Sequence, residues 1–358
     1  MQLFDRLGDS YEEVVVCHDA PTGLGAIVAI HSTALGPALG GTRFYPYPSE
    51  DDAFEDVLRL AEGMTYKSAA AGLDLGGGKA VIIGDPRKLK SEALLRVYGR
   101  FIDSLGGRYI TAEDVGTSQA DMDVIHRETP NVTGVSRSLG GSGDPSAATA
   151  YGVLWAMKAV LDALDGVDEL TGRRIVIGGV GKVGTALVRH LVEERAHVMV
   201  ADVDDDAVAR TVTCIGVDAV PVLDAHAIEC DIFSPCALGG ACNEKTIAGM
   251  GCRAVVGSAN NQLATREDGL RLADREILYA PDFVVNAGGV INIAEELVGY
   301  HRERAYTKVR RIGETTTRVL TIAAKQGITP AAAAEALADQ RIASIGTAAG
   351  RIRTFRRR

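Results

Sequence analysis

No stretch of this 358-residue chain approaches the ~18 consecutive apolar residues of a membrane-spanning helix, which argues against an integral membrane protein. The acidic opening MQLFDRLGDSYEE lacks the basic flank of a secretory signal, and a cytoplasmic location is expected. Cysteine is sparse and unpatterned. Cys17, Cys214, Cys230, Cys236, Cys242 and Cys252 form no C-x-x-C pair and have no histidine at zinc-ligand spacing, so they read as small core residues or free thiols, and no metal is expected. The seven histidines are scattered; His31 and His126 are conceivable catalytic groups, but no partner pattern selects either. Positive charge is also in deficit. A formal net charge of -9 removes any overall attraction for nucleic acid or an anionic membrane. The one basic cluster, RIRTFRRR at residues 351–358, has no aromatic platform beside it and reads as a solvated or subunit-contacting tail.

The chain is longer than a single core keeps growing, and two domains are expected. EEVVVCHD and LGAIVAIHST read as an early pair of strands, and GPALGGTR as a glycine-rich connection. A helix starts after Ser49, with acids in its first turn and Phe54, Val57 and Leu58 at helical spacing. KAVIIG, SEALLRVYGRFIDSL, RYITAEDVG and SQADMDVIHRE then alternate strand and helix, the pattern of an α/β domain. SRSLGGSGDPS breaks that pattern, and the domain boundary is placed there: residues 1–140 form the first domain and 141–330 the second.

The segment LDLGGGKAVI places Gly76, Gly77 and Gly78 directly before Lys79. A phosphate-binding P-loop is excluded, because neither the glycine spacing nor the following apolar strand fits one. The glycines instead read as a turn that brings a cation to a strand entrance. Lys67 lies 12 residues earlier, near the end of the preceding helix, so both amines are expected at one cleft.

The second domain carries a more legible motif. In RIVIGGVGKVGTALVRHLVEERAHVMVAD, Gly179, Gly181 and Gly184 satisfy G-x-G-x-x-G between a strand and a helix, and Asp202 follows 18 residues beyond the last glycine. Gly179 suits the tight turn, Gly181 the approach of a pyrophosphate, and Gly184 close helix–strand packing. The helix N-terminus then faces the phosphates. Asp202 would bond the ribose hydroxyls and repel a 2′-phosphate, so NAD is the expected cofactor. Val180, Lys182 and Val183 complete the cofactor turn. Further strands at CDIFSPC, RAVVGSA and ILYAP end near GSANNQL and DFVVNAGG, which makes Ala259, Asn260, Asn261 and Asn286 contact candidates.

An NAD site implies hydride transfer. There is no serine nucleophile elbow and no histidine-centred constellation; Lys67, Lys79 and the adjacent acids Glu113 and Asp114 remain. Two amines and a carboxylate suit a zwitterionic or keto-acid substrate. A lysine serves as a base near neutral pH only where burial or a neighbouring cation disfavours its charge, and Lys67 is the candidate neighbour.

At this point the residues LGPALGGTR, GMTYKSAAAGLDLGGGKAVIIGDP, GRYITAEDVGT, ECDIFSPCALGG, GSANNQL, YAPDFVVNAGGVIN and GYHRERA carry a resemblance. Over nearly its whole length the chain resembles the Glu/Leu/Phe/Val amino-acid dehydrogenases, and within them the leucine-specific members. The resemblance implies an α/β fold of two domains, an N-terminal substrate domain and a Rossmann-type NAD-binding domain, with a C-terminal helix at about 330–358 returning to the first. It implies that Lys67 binds the substrate carboxylate, Lys79 is the catalytic lysine, Asp114 exchanges protons with the amino group, Asn261 helps hold the substrate, and Thr149 and Asn286 lie along the cofactor. Leu39, Gly40, Ala112, Val290 and Ile293 would surround the substrate, and the apolar side chains among them disfavour glutamate, whose carboxylate would be buried without a partner. The implied reaction is reversible oxidative deamination of a branched aliphatic L-amino acid to its 2-oxo acid and ammonia, in a cleft that closes against water, by a homo-oligomer of two to eight chains. Phenylalanine is the alternative substrate; an NAD-responsive regulator without turnover is the alternative of another class. Gly178, where relatives more often carry a polar residue, is a departure that bears on the turn geometry.

Overall fold

EVVVCHD and LGAIVAIHS carry the continuous apolar runs VVVC and AIVAI, and these segments pair as an antiparallel hairpin, β1 (Glu13–Asp19) and β2 (Leu24–Ser32). Thr22 N–H donates to Asp19 Oδ2 at 3.0 Å and Gly23 takes a positive φ, which closes the hairpin turn. The computed structural model describes residues 6–7 and 10–349. The basic segment at 351–358 lies outside them.

Three more strands complete the first sheet: β3 (Ala38–Tyr45), β4 (Gly76–Ile83) and β5 (Tyr109–Glu113), in the order β1-β2-β4-β3-β5. Here the structure corrects the sequence reading twice. GPALGGTR is not a connection: Ala38 to Arg43 belong to β3, flanked by β4 and β5. Gly76, Gly77 and Gly78 are not a turn before a strand but its first three residues, and Lys79 stands inside β4 rather than at its entrance. These glycines have ordinary negative φ; what they provide is closeness. A Cβ on Gly77 would overlap the backbone nitrogen of Thr65, and one on Gly40 would overlap the carbonyl oxygen of Gly78.

Thr65 belongs to the Glu50–Ala70 helix, capped by Ser49, whose hydroxyl accepts the Asp52 N–H. Glu50, Asp51 and Asp52 at its start and Lys67 at its end complement the helix dipole. Its Ala53, Val57 and Ala61 pack on Ile27, Ala29 and Val81 on one sheet face. Tyr98 and Ile102 of the Glu92–Ser104 helix, and Met122 and Ile125 of the Gln119–His126 helix, cover Val28, Ala80 and Ile82 on the other. Each fully buried Leu, Ile or Val contributes ~1.5–3 kcal/mol.

A second compact unit spans Pro145–Asn292 and Glu303–Leu337. Its six-stranded sheet is parallel throughout and ordered β11-β10-β9-β6-β7-β8, from β6 (Arg174–Gly178), β7 (His197–Ala201), β8 (Asp218–Ala219), β9 (Cys230–Pro235), β10 (Cys252–Val255) and β11 (Leu278–Tyr279). Strand order reverses between β6 and β9, the place where ligands collect in such sheets. Cys230, Cys242 and Cys252 are buried in its core. The Ser146–Asp165 helix has the length and apolar composition of a membrane span, and 56% of its most apolar window is buried inside the protein.

The first unit runs to Asp144 and also takes in Ile293–Arg302 and the chain from Ala338, so a segment that the sequence assigns to the second domain clusters with the first. Within the first unit Glu296 accepts the N–H groups of Gly134 (2.9 Å) and Ser142 (2.8 Å). The last described element is the helix Pro330–Ala349. Ala338 packs with Leu35 and Ala69, and Arg341 pairs with Asp74 at 2.8 Å.

Candidate active site

Strand periodicity decides which side chains of the first unit share a face. Gly77, Lys79 and Val81 of β4 lie on the face covered by the Glu50–Ala70 helix, level with Leu39, Gly41 and Arg43 of β3 and Ile110 and Ala112 of β5. Glu113 and Gly40 have the opposite parity. Gly40 therefore turns away from Lys79, and its carbonyl accepts the buried Tyr109 hydroxyl at 2.6 Å. Leu39 is fully buried and Ala112 nearly so.

Lys79 is 6% exposed, and its Nζ lies 3.1 Å from Asp114 Oδ2. Asp114 follows the last residue of β5; a side chain on Gly41 would crowd its Cβ, so the glycine in β3 opens the space that the acid fills. Of the two adjacent acids, Asp114 meets the lysine. The same Oδ2 accepts Arg43 Nε at 3.1 Å, and Arg43 Nη1 reaches Asp56 Oδ2 at 2.8 Å. Tyr47 also donates to Asp56 Oδ2, at 2.7 Å. Burial pushes the Asp114 carboxyl up, but the Lys79 and Arg43 cations outweigh it and hold the group below the usual carboxylate range. Lys67 is half-buried, two residues beyond the Thr65 that rests on Gly77. His31 Nδ1 lies 2.9 Å from that Thr65 hydroxyl, with the Tyr11 ring edge-on, and burial lowers the imidazole pKa.

In the second unit the glycine turn leaves β6 and enters the Lys182–Glu193 helix, whose N-cap residue, Gly181, has no side chain with which to bond the first turn. Gly179 has φ +116°, which a side chain rarely adopts, and a Cβ there would meet Ala237. A Cβ on Gly184 would overlap the Gly179 carbonyl, whereas Gly181 is exposed and has no protein atom within 4 Å of that position. Among the described residues no packing contact requires glycine at 181, and the space is open to a ligand. Gly178, the departure noted in the sequence, has its own cause: the Phe233 ring lies 3.3 Å from where a Cβ would stand. Lys182 is exposed, Val183 half-buried and Val180 buried.

Asp202 follows β7, and its Oδ2 accepts the Val180 N–H at 2.7 Å while Oδ1 accepts Asp204 N–H at 3.0 Å. Beyond β10, Ala259 is buried and Asn260 and Asn261 are exposed; Asn261 holds φ +52° with its carbonyl accepting Gly240 N–H. Asn286 Nδ2 donates to Asn260 Oδ1 at 2.8 Å and Ser258 O at 3.2 Å, while its buried Oδ1 finds no hydrogen-bond partner among the described residues. Gly289 comes close to Thr149: its Cβ would lie 2.8 Å from the Thr149 hydroxyl. The open Gly181 and the Asn286 acceptor, which has no partner among the described residues, fit a dinucleotide. Val290 is buried and Ile293 half-buried.

The sequence reading missed Arg43 and Asp56, and it missed Gln262, a fully buried side chain whose Nε2 holds the Gly257 and Ala259 carbonyls at 2.8 and 3.0 Å. Arg43 and Gln262 lie inside the segments GGTR and ANNQL that carry the resemblance, which is the signal that pointed to them.

Residues 12–131 match the Glu/Leu/Phe/Val dehydrogenase dimerisation domain, and residues 140–220 and 208–350 match the Glutamate/Leucine/Phenylalanine/Valine dehydrogenase domain. The chain belongs to the Glu/Leu/Phe/Val dehydrogenase family. Members of this family are amino-acid dehydrogenases, oxidoreductases that depend on a pyridine nucleotide and act on a small molecule. Within the family, the chain is 53% identical to a leucine dehydrogenase of Geobacillus stearothermophilus over 96% of its own length and 94% of that protein's. It is 53% identical to a valine dehydrogenase of Streptomyces coelicolor over 95% and 94%. The crystal structure of L-tryptophan dehydrogenase from Nostoc punctiforme superimposes with a TM-score of 0.84 at 40% identity, covering 94% of this chain and 97% of that one.

Proposed function

We propose that this family member catalyses the reversible NAD-dependent oxidative deamination of a branched aliphatic L-amino acid, leucine, valine or isoleucine, to the 2-oxo acid and ammonia. The observation that carries the reading is the 3.1 Å contact of the buried Lys79 Nζ with Oδ2 of the half-buried Asp114, on a sheet face whose neighbouring side chains Leu39 and Ala112 are apolar. The leucine and valine dehydrogenases among its relatives support the substrate class.

In this reading Lys67 holds the substrate carboxylate with help from Asn261, and Leu39, Ala112, Val290 and Ile293 receive the aliphatic side chain. Asp114 takes a proton from the substrate ammonium, leaving an amine whose lone pair assists departure of hydride from Cα. When bound, NAD supplies the hydride acceptor. Lys79, once deprotonated, removes a proton from the water that attacks the resulting iminium carbon, returns it to the nitrogen, and takes the remaining hydroxyl proton as the carbonyl forms and ammonia leaves. Gly179 to Gly184, Thr149, Ala259, Asn260 and Asn286 bind the cofactor. Asp202 favours NAD by meeting ribose hydroxyls and repelling a 2′-phosphate. Six free cysteines fit a cytoplasmic setting, and the match to a dimerisation domain supports a homo-oligomer.

The test measures NADH formation with L-leucine, L-valine, L-isoleucine, L-phenylalanine and L-glutamate, and repeats it with Lys79→Ala. Aliphatic substrates are expected to lead, and the variant is expected to lose ~10²–10⁴-fold in turnover while still binding NADH. A lead for phenylalanine or glutamate overturns the substrate class. Undiminished turnover by Lys79→Ala overturns the mechanism.

A further inference from the structure

Asp114 Oδ2 is shared by two cations of unlike chemistry. Lys79 Nζ and Arg43 Nε each lie 3.1 Å from that one oxygen, and Arg43 is held from behind by Asp56, 2.8 Å from its Nη1. A lysine can surrender its proton during turnover; an arginine in a protein cannot. We propose that Arg43 is a positioning residue for the deamination, a permanent counter-ion that keeps Asp114 anionic and oriented at the moment Lys79 gives up its charge. The inference rests on the roles proposed above for Lys79 and Asp114.

The physical need is specific. The Asp114 side chain is 22% exposed and that of Lys79 is 8% exposed, so this carboxylate is poorly solvated. If Lys79 were its one cation, every deprotonation of Lys79 would strand an anion in a poorly hydrated site, at the cost that attends removing one partner of a buried pair. Arg43 removes that penalty. It comes from β3, which lies between β4, the strand of Lys79, and β5, the strand that Asp114 follows, and strand alternation points its side chain to their face. By occupying Oδ2 together with Lys79, it also leaves Asp114 Oδ1 for the substrate nitrogen.

The charged and titratable groups that face this pair come from three packed elements besides β5. Among the described residues they include Lys79 on β4, Arg43 on β3, and Asp56 with Arg59 on the Glu50–Ala70 helix, joined by Tyr47, whose hydroxyl donates to Asp56, while on β5 itself the buried Tyr109 phenol feels the Asp114 charge. Asp56 Oδ1 is taken by Arg59 at 2.8 Å, and its Oδ2 is shared by Arg43 and Tyr47. Arg43 is thereby fixed on both sides. The direction of the Asp114 shift, downward against burial because of both cations, agrees with this arrangement.

The experiment compares pH profiles of kcat/KM for the wild type, Arg43→Gln and Arg43→Lys in the full-length enzyme, with NADH binding and thermal unfolding followed in parallel. With Arg43→Gln the rising limb is expected to move to higher pH by about one unit, so that turnover falls roughly tenfold near neutrality and recovers toward alkaline pH. Arg43→Lys, which retains a cation but not the fork that bridges Asp114 and Asp56, is expected to give a smaller shift in the same direction. NADH binding should be unchanged in both. Profiles that superimpose on the wild type, or a loss equal at every pH, overturn the proposal. If Arg43→Gln does not fold, the shift of Arg43→Lys decides in the same terms. Turnover that survives both Lys79→Ala and Asp114→Asn would overturn the underlying mechanism instead, a result distinguishable from a silent Arg43.

Discussion

Asp202 Oδ2 accepts the Val180 N–H at 2.7 Å, so the acid after one strand ties down the glycine turn after its neighbour. The proposed reader of the ribose is thus also a brace for the proposed phosphate loop. Asp202→Ala is expected to raise the KM for NAD by roughly tenfold or more, since a hydrogen bond to a charged group contributes about 1.5–3 kcal/mol. It should also narrow the preference over NADP. Steady-state kinetics with both cofactors check this; an unchanged NAD/NADP ratio removes Asp202 from the discriminating role.

Gly77 makes a prediction about stability. A Cβ there would overlap the backbone of Thr65, and the clash with main chain cannot be relieved by rotating a side chain. Gly77→Ala is expected to cost about 3 kcal/mol in urea-unfolding midpoints. Gly63→Ala serves as the contrast: it sits on the same helix, exposed, with no atom within 4 Å of the added methyl. It should stabilise by about 0.5–1 kcal/mol. Equal effects of the two would show that the helix does not rest on β4 at Gly77.

The Asp114 carboxyl sets the sign of one pH effect. Its native pKa is depressed by Lys79 and Arg43 against the opposing pull of burial. The unfolded chain therefore binds this proton more readily than the folded one. The resulting stability is fully present above the ordinary aspartate value of about 3.9 and is lost as pH falls through the lower native value. Denaturant titrations between about pH 6 and pH 2 should show a shallower acid loss in Asp114→Asn than in the wild type. An identical slope would mean that the pairing does not survive in solution.

Asn286 separates binding from stability. Its Oδ1 is buried without a partner among the described residues, so removing it relieves a penalty at the same time as its Nδ2 bonds are lost. Asn286→Ala is expected to weaken NADH binding about tenfold, as read by calorimetry, while stability changes by less than about 1 kcal/mol. A large stability loss with intact NADH affinity would make Asn286 a structural residue.

Legibility from sequence followed the range of the interactions. The Rossmann unit could be read because its determinants are contiguous: an apolar strand, three spaced glycines, an amphipathic helix and an acid after the next strand. Gly76–Gly78 and Gly40–Gly41 were misread as turn formers, because glycine's local preference for turns carries no trace of a helix or strand arriving from elsewhere in the chain. The acid pair Glu113 and Asp114 was visible, but which one meets Lys79 depends on strand parity relative to β3 and β4.

By itself, the sequence determined the α/β class, the helix start at Ser49 and the glycine turn, since these depend on periodicity and on hydrogen bonds between near neighbours. Only the tertiary structure decided that Lys79 lies within a strand, that Asp114 is its partner, and that Arg43, 71 residues from that acid, divides the same oxygen with it. The reason is physical. A buried charge is stabilised by whatever folding places within a few ångströms of it, and for residues so far apart along the chain that distance is set by strand order and register.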